Sequence, residues 1–223
     1  MNQVYAVIDT ETTGVGKDDR VCEIAVVFLD QKMNLINIFC TLINPLVANR
    51  AFHINGITDE MLAKAPQPVA VDGYLMRLFA HYRVTTIVGH NVSFDIRMLK
   101  QTGFSSIGLP TNQFICTMAI EYEACRRNLS LLDLAFRHGL VSMPSQHSAF
   151  MDANMCAAVF RKQYHTRIPQ MHTPLCSGNF GEAFFMSVVR AGLDMHGALQ
   201  RLHAGSPDPV RLVAHGISGK RNA

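Results

Sequence analysis

QVYAVID at residues 3–9, VCEIAVVFLD at 21–30 and NLINIFCTLI at 34–43 decide the fold of this chain. Each run is rich in β-branched and apolar residues and is bounded by polar turn residues, the pattern of a strand. The short link QKM joins the second run to the third and suits a hairpin-like connection. A series of consecutive antiparallel strands, opened by the N-terminal one, is therefore expected.

Further along, the pattern changes. Residues 44–57 carry Pro, Asn and Gly and read as an irregular loop. Thr58 precedes Asp59 and Glu60 as an N-cap with first-turn acids, which complement a helix dipole. A helix is expected after Pro68, with Val71, Leu75, Leu78 and Phe79 apolar. TTIVG at 85–89 reads as a short buried strand, and residues 91–102 as a helix. A strand near 113–117, helices near 117–126 and 130–138, and one longer helix over 147–164 complete the pattern. Strands first, then strands alternating with helices, indicate an α/β fold with a mixed central sheet flanked by helices. The division expected is a domain over 1–168 and an extension over 169–223. In the extension, Pro169 and Pro174 mark a break, residues 180–203 read as a second amphipathic unit, and 205–223 as a mobile tail.

The bulk numbers narrow the class. With 223 residues, 48% hydrophobic and 17% charged, the chain is long enough and apolar enough to bury a core. Its formal charge of +3 does not announce a nucleic-acid binder. The six cysteines form no C-x-x-C pair and no zinc-finger spacing, so reduced, buried thiols in a cytoplasmic protein are expected. No run reaches the roughly 18 apolar residues that would span a bilayer.

Four acids stand out by context. Asp9 and Glu11 lie in VIDTETTG at the end of the first strand, and residues two apart on a strand share a face. Gly14, beside them, leaves room for a ligand. Asp95 ends GHNVSFD (89–95), at the start of a helix that follows a buried strand. His147 and Asp152 sit in HSAFMDANM, and they border one cleft only where that helix start is bent or capped. Two carboxylates about 4 Å apart repel by roughly 4 kcal/mol at an effective dielectric of about 20. Four together require protons or cations. Two divalent cations balance them formally, and all-oxygen ligation favours Mg²⁺ or Mn²⁺ over zinc. Such a pair suits in-line attack on a phosphodiester.

In this order and spacing, VIDTETTG, GHNVSFD and the His147–Asp152 pair resemble the three motifs of the DEDDh family of 3′-to-5′ exonucleases. That family has a ribonuclease H-like fold and includes the proofreading epsilon subunit of bacterial DNA polymerase III. The resemblance covers roughly residues 3–164. It extends to FHINGITDEMLAKAP at 52–66, similar to the family's His-Gly-Ile-Thr segment with an extra Asn before the Gly. It implies that Asp9 bridges two metal ions, that Glu11 and Asp152 hold the ion that activates water, and that Asp95 holds the second. It also implies that His147 is the general base, a role that an ordinary imidazole pKa near 6.5 suits. Backbone groups at Thr12 and Thr13 would contact the terminal nucleotide, Val15 and Ile57 would wedge against terminal bases or else belong to the core, and Asn91 would orient the phosphate or brace the site. Arg97, Lys100, Arg126, Arg127, Arg161 and Lys162 are candidates for a basic rim.

The substrate implied is a single-stranded or frayed 3′ end of DNA, read with little sequence preference. A ribonuclease acting on RNA ends is the alternative. A third reading makes the chain a polymerase accessory subunit that docks through residues 180–203.

Overall fold

The computed structural model describes residues 3–107, 113–140 and 147–166. The expected extension over 169–223, with its amphipathic unit, lies outside the described residues. Five strands, β1 (Val4–Thr12), β2 (Val21–Asp30), β3 (Leu35–Leu42), β4 (Val84–Gly89) and β5 (Gln113–Cys116), form one sheet in the order β3-β2-β1-β4-β5. The pairs β1–β2 and β2–β3 are antiparallel, whereas β1–β4 and β4–β5 are parallel. This is the mixed sheet that the strand pattern predicts, in a ribonuclease H-like arrangement.

Seven helices flank the sheet among the described residues: α1 (Phe52–Asn55), α2 (Asp59–Ala63), α3 (Pro68–Tyr82), α4 (Val92–Thr102), α5 (Thr117–Cys125), α6 (Leu131–Arg137) and α7 (Ala149–Thr166). Thr58 caps α2 as its sequence predicts, its hydroxyl accepting from the Met61 N–H at 3.2 Å. Pro68 opens α3, where a missing N–H costs nothing. The 44–57 segment is less irregular than expected. Its last part winds into α1, which stops at Gly56 in the left-handed region.

Strand alternation builds two cores. On one face, Ala6, Ile8, Ile24, Val26, Phe28 and Ile87 pack against Leu75 and Phe79 of α3 and Met98 and Leu99 of α4. On the other, Tyr5, Val7, Ala25, Val27 and Val88 pack against Ala153, Cys156, Ala157 and Phe160 of α7. Both faces of β1 are therefore covered, which is why its apolar run shows little alternation. Tyr5 meets Phe160 edge to face, with ring centroids 5.3 Å apart, and Tyr164 joins the pair. A third cluster fastens α6 to α7 through Leu134, Ala135, Met155 and Val159. No helix among the described residues is long and apolar enough to cross a membrane.

Phe160 is fully buried between sheet and helix. Phe160→Ala is expected to cost about 3–5 kcal/mol, read as a lower urea midpoint at unchanged m-value. A loss under about 1 kcal/mol would mean that α7 does not seal this face.

Candidate active site

The site begins with β1. The strand runs on past the expected 3–9 through Thr12, so Glu11 lies within it together with Asp9. Both occupy the face that α7 covers, continuing the row of Tyr5 and Val7. Where the row turns from apolar to acidic, the α7-side core ends and the site starts.

Asp95 arrives from the first turn of α4. It is 3% exposed and accepts a hydrogen bond from the Thr10 hydroxyl at 2.8 Å. Thr10 thus ties the start of α4 to β1 from between the two acids. The approach is close: a Cβ on Gly89 would stand 3.0 Å from Val92.

Asp152 arrives from the first turn of α7. His147 precedes this helix instead of lying on it, a correction to the expected helix start that resolves its five-residue spacing. The chain before Ala149 is free of the 100° helical step, so His147 Nδ1 reaches within 3.7 Å of Asp152 Oδ2. Glu11, Asp152 and His147 present potential ligand atoms all within 4.8 Å of one another. The His147 side chain is 66% exposed, at the mouth of the site, whereas that of Asp152 is 24% exposed.

A fifth acid, Glu23, stands opposite Glu11 in the β1–β2 register and is 4% exposed. Its Oε2 accepts from the Ala149 N–H at 2.9 Å, and Cys40 Sγ lies 3.9 Å from Oε1. Sequence reasoning missed it because VCEIAVVFLD reads as an ordinary strand. The available signal was a charged residue inside an otherwise apolar run with both neighbours buried.

Crowding marks the charges. Burial, reinforced by Asp95, Asp152, Glu11 and Glu23, holds the Asp9 carboxyl well above its ordinary range. Burial, then Glu23, Asp152 and Asp95, push Glu11 up to about 8. Burial raises Asp95 to about 7 against the opposing hydrogen bond from Thr10. It raises Glu23 to about 7 against the N–H of Ala149. Asp152 is raised by burial, with His147 pulling the other way. Carboxyls that hold protons this tightly mark a site short of positive charge, and an all-oxygen acid cluster fits a hard divalent cation.

The loop after β1 differs from its expected role. Asp19, not a ligand, fills the room beside Gly14: a Cβ there would stand 2.5 Å from Asp19 Oδ2. Asp19 accepts from the Thr13 hydroxyl at 3.0 Å, the Gly16 N–H at 2.8 Å and Arg50 at 2.8 Å. The Arg50 hydrogen bond, with help from Gly16 and Thr13, holds its carboxyl below the usual range against the effect of burial. The Thr13 N–H is spent on the Arg20 carbonyl at 2.9 Å, so it is not offered to a nucleotide. The Thr12 carbonyl accepts from Asn55 Nδ2 at 3.2 Å. Asn55 is buried, also accepting from Asn49 and the Ile57 N–H, and the sequence marked it only as a departure.

The two expected wedges part company. Val15 is 73% exposed at the loop tip. Ile57 is 1% exposed and packs with Cys22, Leu42 and Leu62, so it is core and not a wedge. Asn91 is exposed just before α4, in the left-handed region that Asn tolerates, with its Oδ1 accepting from Ser93 at 3.3 Å. Of the expected basic rim, Arg97 lies over the Phe94 ring, 5.2 Å from its centroid.

An exonuclease family model, RNase T, matches residues 6–160. The chain belongs to this exonuclease family. An uncharacterized exonuclease of Escherichia phage 186 is 30% identical over 169 residues, covering 68% of this chain and 84% of the phage protein. The epsilon subunit of DNA polymerase III from Salmonella typhimurium is 29% identical over 170 residues, 69% of this chain and 68% of the subunit. The PolC-type DNA polymerase III of Thermotoga petrophila is 30% identical over 164 residues, and the match spans 71% of this chain but only 12% of that polymerase. Among solved structures, exonuclease X in complex with 5′-overhanging duplex DNA aligns with a TM-score of 0.55 at 26% identity, covering 74% of this chain and 92% of that one. The exonuclease is thus a nuclease by family, with its acids gathered at one end of β1.

The raised carboxyls give the ion-free exonuclease a definite pH dependence. In the unfolded chain these acids ionise near their ordinary values around pH 4, but the fold keeps protons on Glu11, Glu23 and Asp95 up to about 7–8. The folded state then binds more protons across that window, so stability falls as pH rises from about 4 to about 8. Melting in EDTA is expected to drop steadily over this range, and millimolar Mg²⁺ or Mn²⁺ to restore it at the alkaline end. A melting temperature indifferent to both pH and cation would mean that the acids are not crowded.

Proposed function

We propose that this exonuclease removes nucleotides one at a time from the 3′ ends of DNA, hydrolysing the terminal phosphodiester to release nucleoside 5′-monophosphates with the help of two Mg²⁺ or Mn²⁺ ions. The observation that carries the reading is the convergence of Asp9 and Glu11 from β1, Asp95 from α4 and Asp152 from α7, with His147 3.7 Å from Asp152 at the mouth. Relatives named as a phage exonuclease and a DNA polymerase subunit support DNA as the substrate.

Asp9, Glu11, Asp95 and Asp152 are the residues that would hold the cations. When bound, these ions neutralise the scissile phosphate, favour ionisation of the attacking water and stabilise the departing 3′-oxygen. The chain's own residues do the rest. His147 takes the proton of the attacking water. With Nδ1 turned toward Asp152, Nε2 is the ring nitrogen left for that proton. Asp152 fixes the ring's orientation and stabilises the imidazolium that results. Thr10 holds Asp95 in its place on the opposite side. Val15, carried on a loop that Asp19 locks, is set to press on the terminal base. An apolar tip of this kind favours an end that is already unstacked and carries no sequence code.

Asp9→Ala and Asp152→Ala are expected to abolish nucleotide release while leaving the chain folded, since each relieves repulsion. His147→Ala is expected to cut the rate by about 10²–10⁴-fold and to remove the limb of the pH–rate profile that reports the base. These are read on 5′-labelled oligonucleotides with a frayed 3′ end. Near-normal turnover by either Asp variant at saturating Mg²⁺ would sink the site assignment. DNA and RNA of one sequence, run side by side, decide the sugar, and equal or faster loss of RNA would replace DNA as the substrate. A 3′-labelled strand decides polarity, because label must leave as mononucleotide from the first turnover.

A further inference from the structure

Glu23 lies in the acid cluster, yet its oxygens are engaged by the protein itself. Oε2 takes the N–H of Ala149, 126 residues away in the chain, and Oε1 faces Cys40. Ala149 is the first residue of α7, and its N–H is one of the four that a helix cannot satisfy internally. A buried acid from a central strand supplies the partner, where a side chain of the adjacent loop would ordinarily do so. The acceptor also meets the positive end of the α7 dipole.

The position of that contact is what matters. His147 lies two residues before Ala149 and Asp152 three after it. The first intrahelical bond runs from the Asp152 N–H to the Ser148 carbonyl at 3.0 Å, so residues 148–152 turn as one rigid unit. Pinning Ala149 to β2 fixes this unit in height and rotation over the sheet. β2 is itself held to β1 with Glu23 opposite Glu11. One chain of contacts therefore runs from Glu11 through Glu23 and Ala149 to Asp152 and His147. Apolar packing reaches this end too, through Ala149 and Phe150, but non-directional contacts fix height and rotation less closely than a buried hydrogen bond does.

Building on the exonuclease reading above, we propose that Glu23 is a positioning residue: its buried carboxyl holds the N-terminus of α7 so that His147 and Asp152 face Asp9 and Glu11. Glu23 then needs neither to touch a cation nor to move a proton, and its task is to accept one hydrogen bond at a fixed place. A neutral acceptor of the same length does that too.

The test compares Glu23→Gln, which keeps the length and an acceptor oxygen, with Glu23→Ala, which removes both, in the full chain. Turnover of frayed DNA with Mg²⁺ is measured together with hydrogen exchange at the Ala149 amide. Glu23→Ala is expected to lower kcat by about 10–100-fold, with KM for DNA within about threefold, and to speed Ala149 exchange at least tenfold. Glu23→Gln is expected to recover most of kcat and the slow exchange. If Glu23→Ala keeps kcat within threefold of the parent, or if Glu23→Gln is as impaired as Glu23→Ala, the positioning role is overturned. Should Glu23→Ala fail to fold, Glu23→Asp replaces it. That change keeps the charge but shortens the reach by one methylene, and the same loss of kcat and of amide protection is required. A parent protein inactive on every nucleic acid would sink the exonuclease reading, while Ala149 exchange in the variants would still report whether Glu23 holds the helix.

Discussion

Repulsion among acids that two strands and two helices force together is the constraint on which the rest of the structure depends. Asp9, Glu11 and Glu23 lie on a single face of the sheet because strand register leaves them no other. Asp95 and Asp152 are then brought to them by helices whose apolar faces are committed elsewhere. Burial and neighbouring charge act in the same direction on Asp9 and Glu11, and protons relieve the repulsion. The site is thus preorganised at the expense of stability, with the apolar sheet faces bearing the load.

Around that centre, buried polar contacts set positions that hydrophobic packing cannot. Thr10 secures α4 to β1, Glu23 secures α7 to β2, and Asn55 secures α1 to the Thr12 carbonyl. Asp19 gathers Thr13, Gly16 and Arg50 and so stiffens the loop that presents Val15. The first three are directional contacts between elements far apart in sequence, placed where an element enters the site. Apolar burial decides which faces meet, and these contacts decide the register at which they meet.

That division also explains what was legible in the sequence. The strands, the longer helices and the mixed sheet were readable because periodicity reports burial. Four acids stood out as candidates because a carboxylate at a strand end or helix start is conspicuous against apolar neighbours. Glu23 was hidden by the same logic, since a lone acid inside a strand has no local motif, and its partner at Ala149 is a backbone group. Ile57 stayed open between wedge and core because an apolar residue in a Gly-containing loop looks the same whether it faces solvent or core. Gly14 was read as space for a ligand, but its lack of a side chain serves Asp19, five residues on. Four-residue α1 was too short for any period to show.

His147 illustrates how an apparent conflict in spacing is settled by where an element starts. Five residues along a continuous helix would place His147 and Asp152 on diverging sides. Starting α7 at Ala149 leaves His147 outside the helix, able to turn back toward the first helical turn. The helix start is therefore as much a part of the site as the side chains are. A helix that began one turn earlier would bury the same apolar residues and form the same core, yet it would carry the imidazole away from the acids. The core by itself is indifferent to that choice. What favours the observed start is the Glu23 carboxyl on β2, which accepts the Ala149 N–H that a helix beginning there leaves unsatisfied.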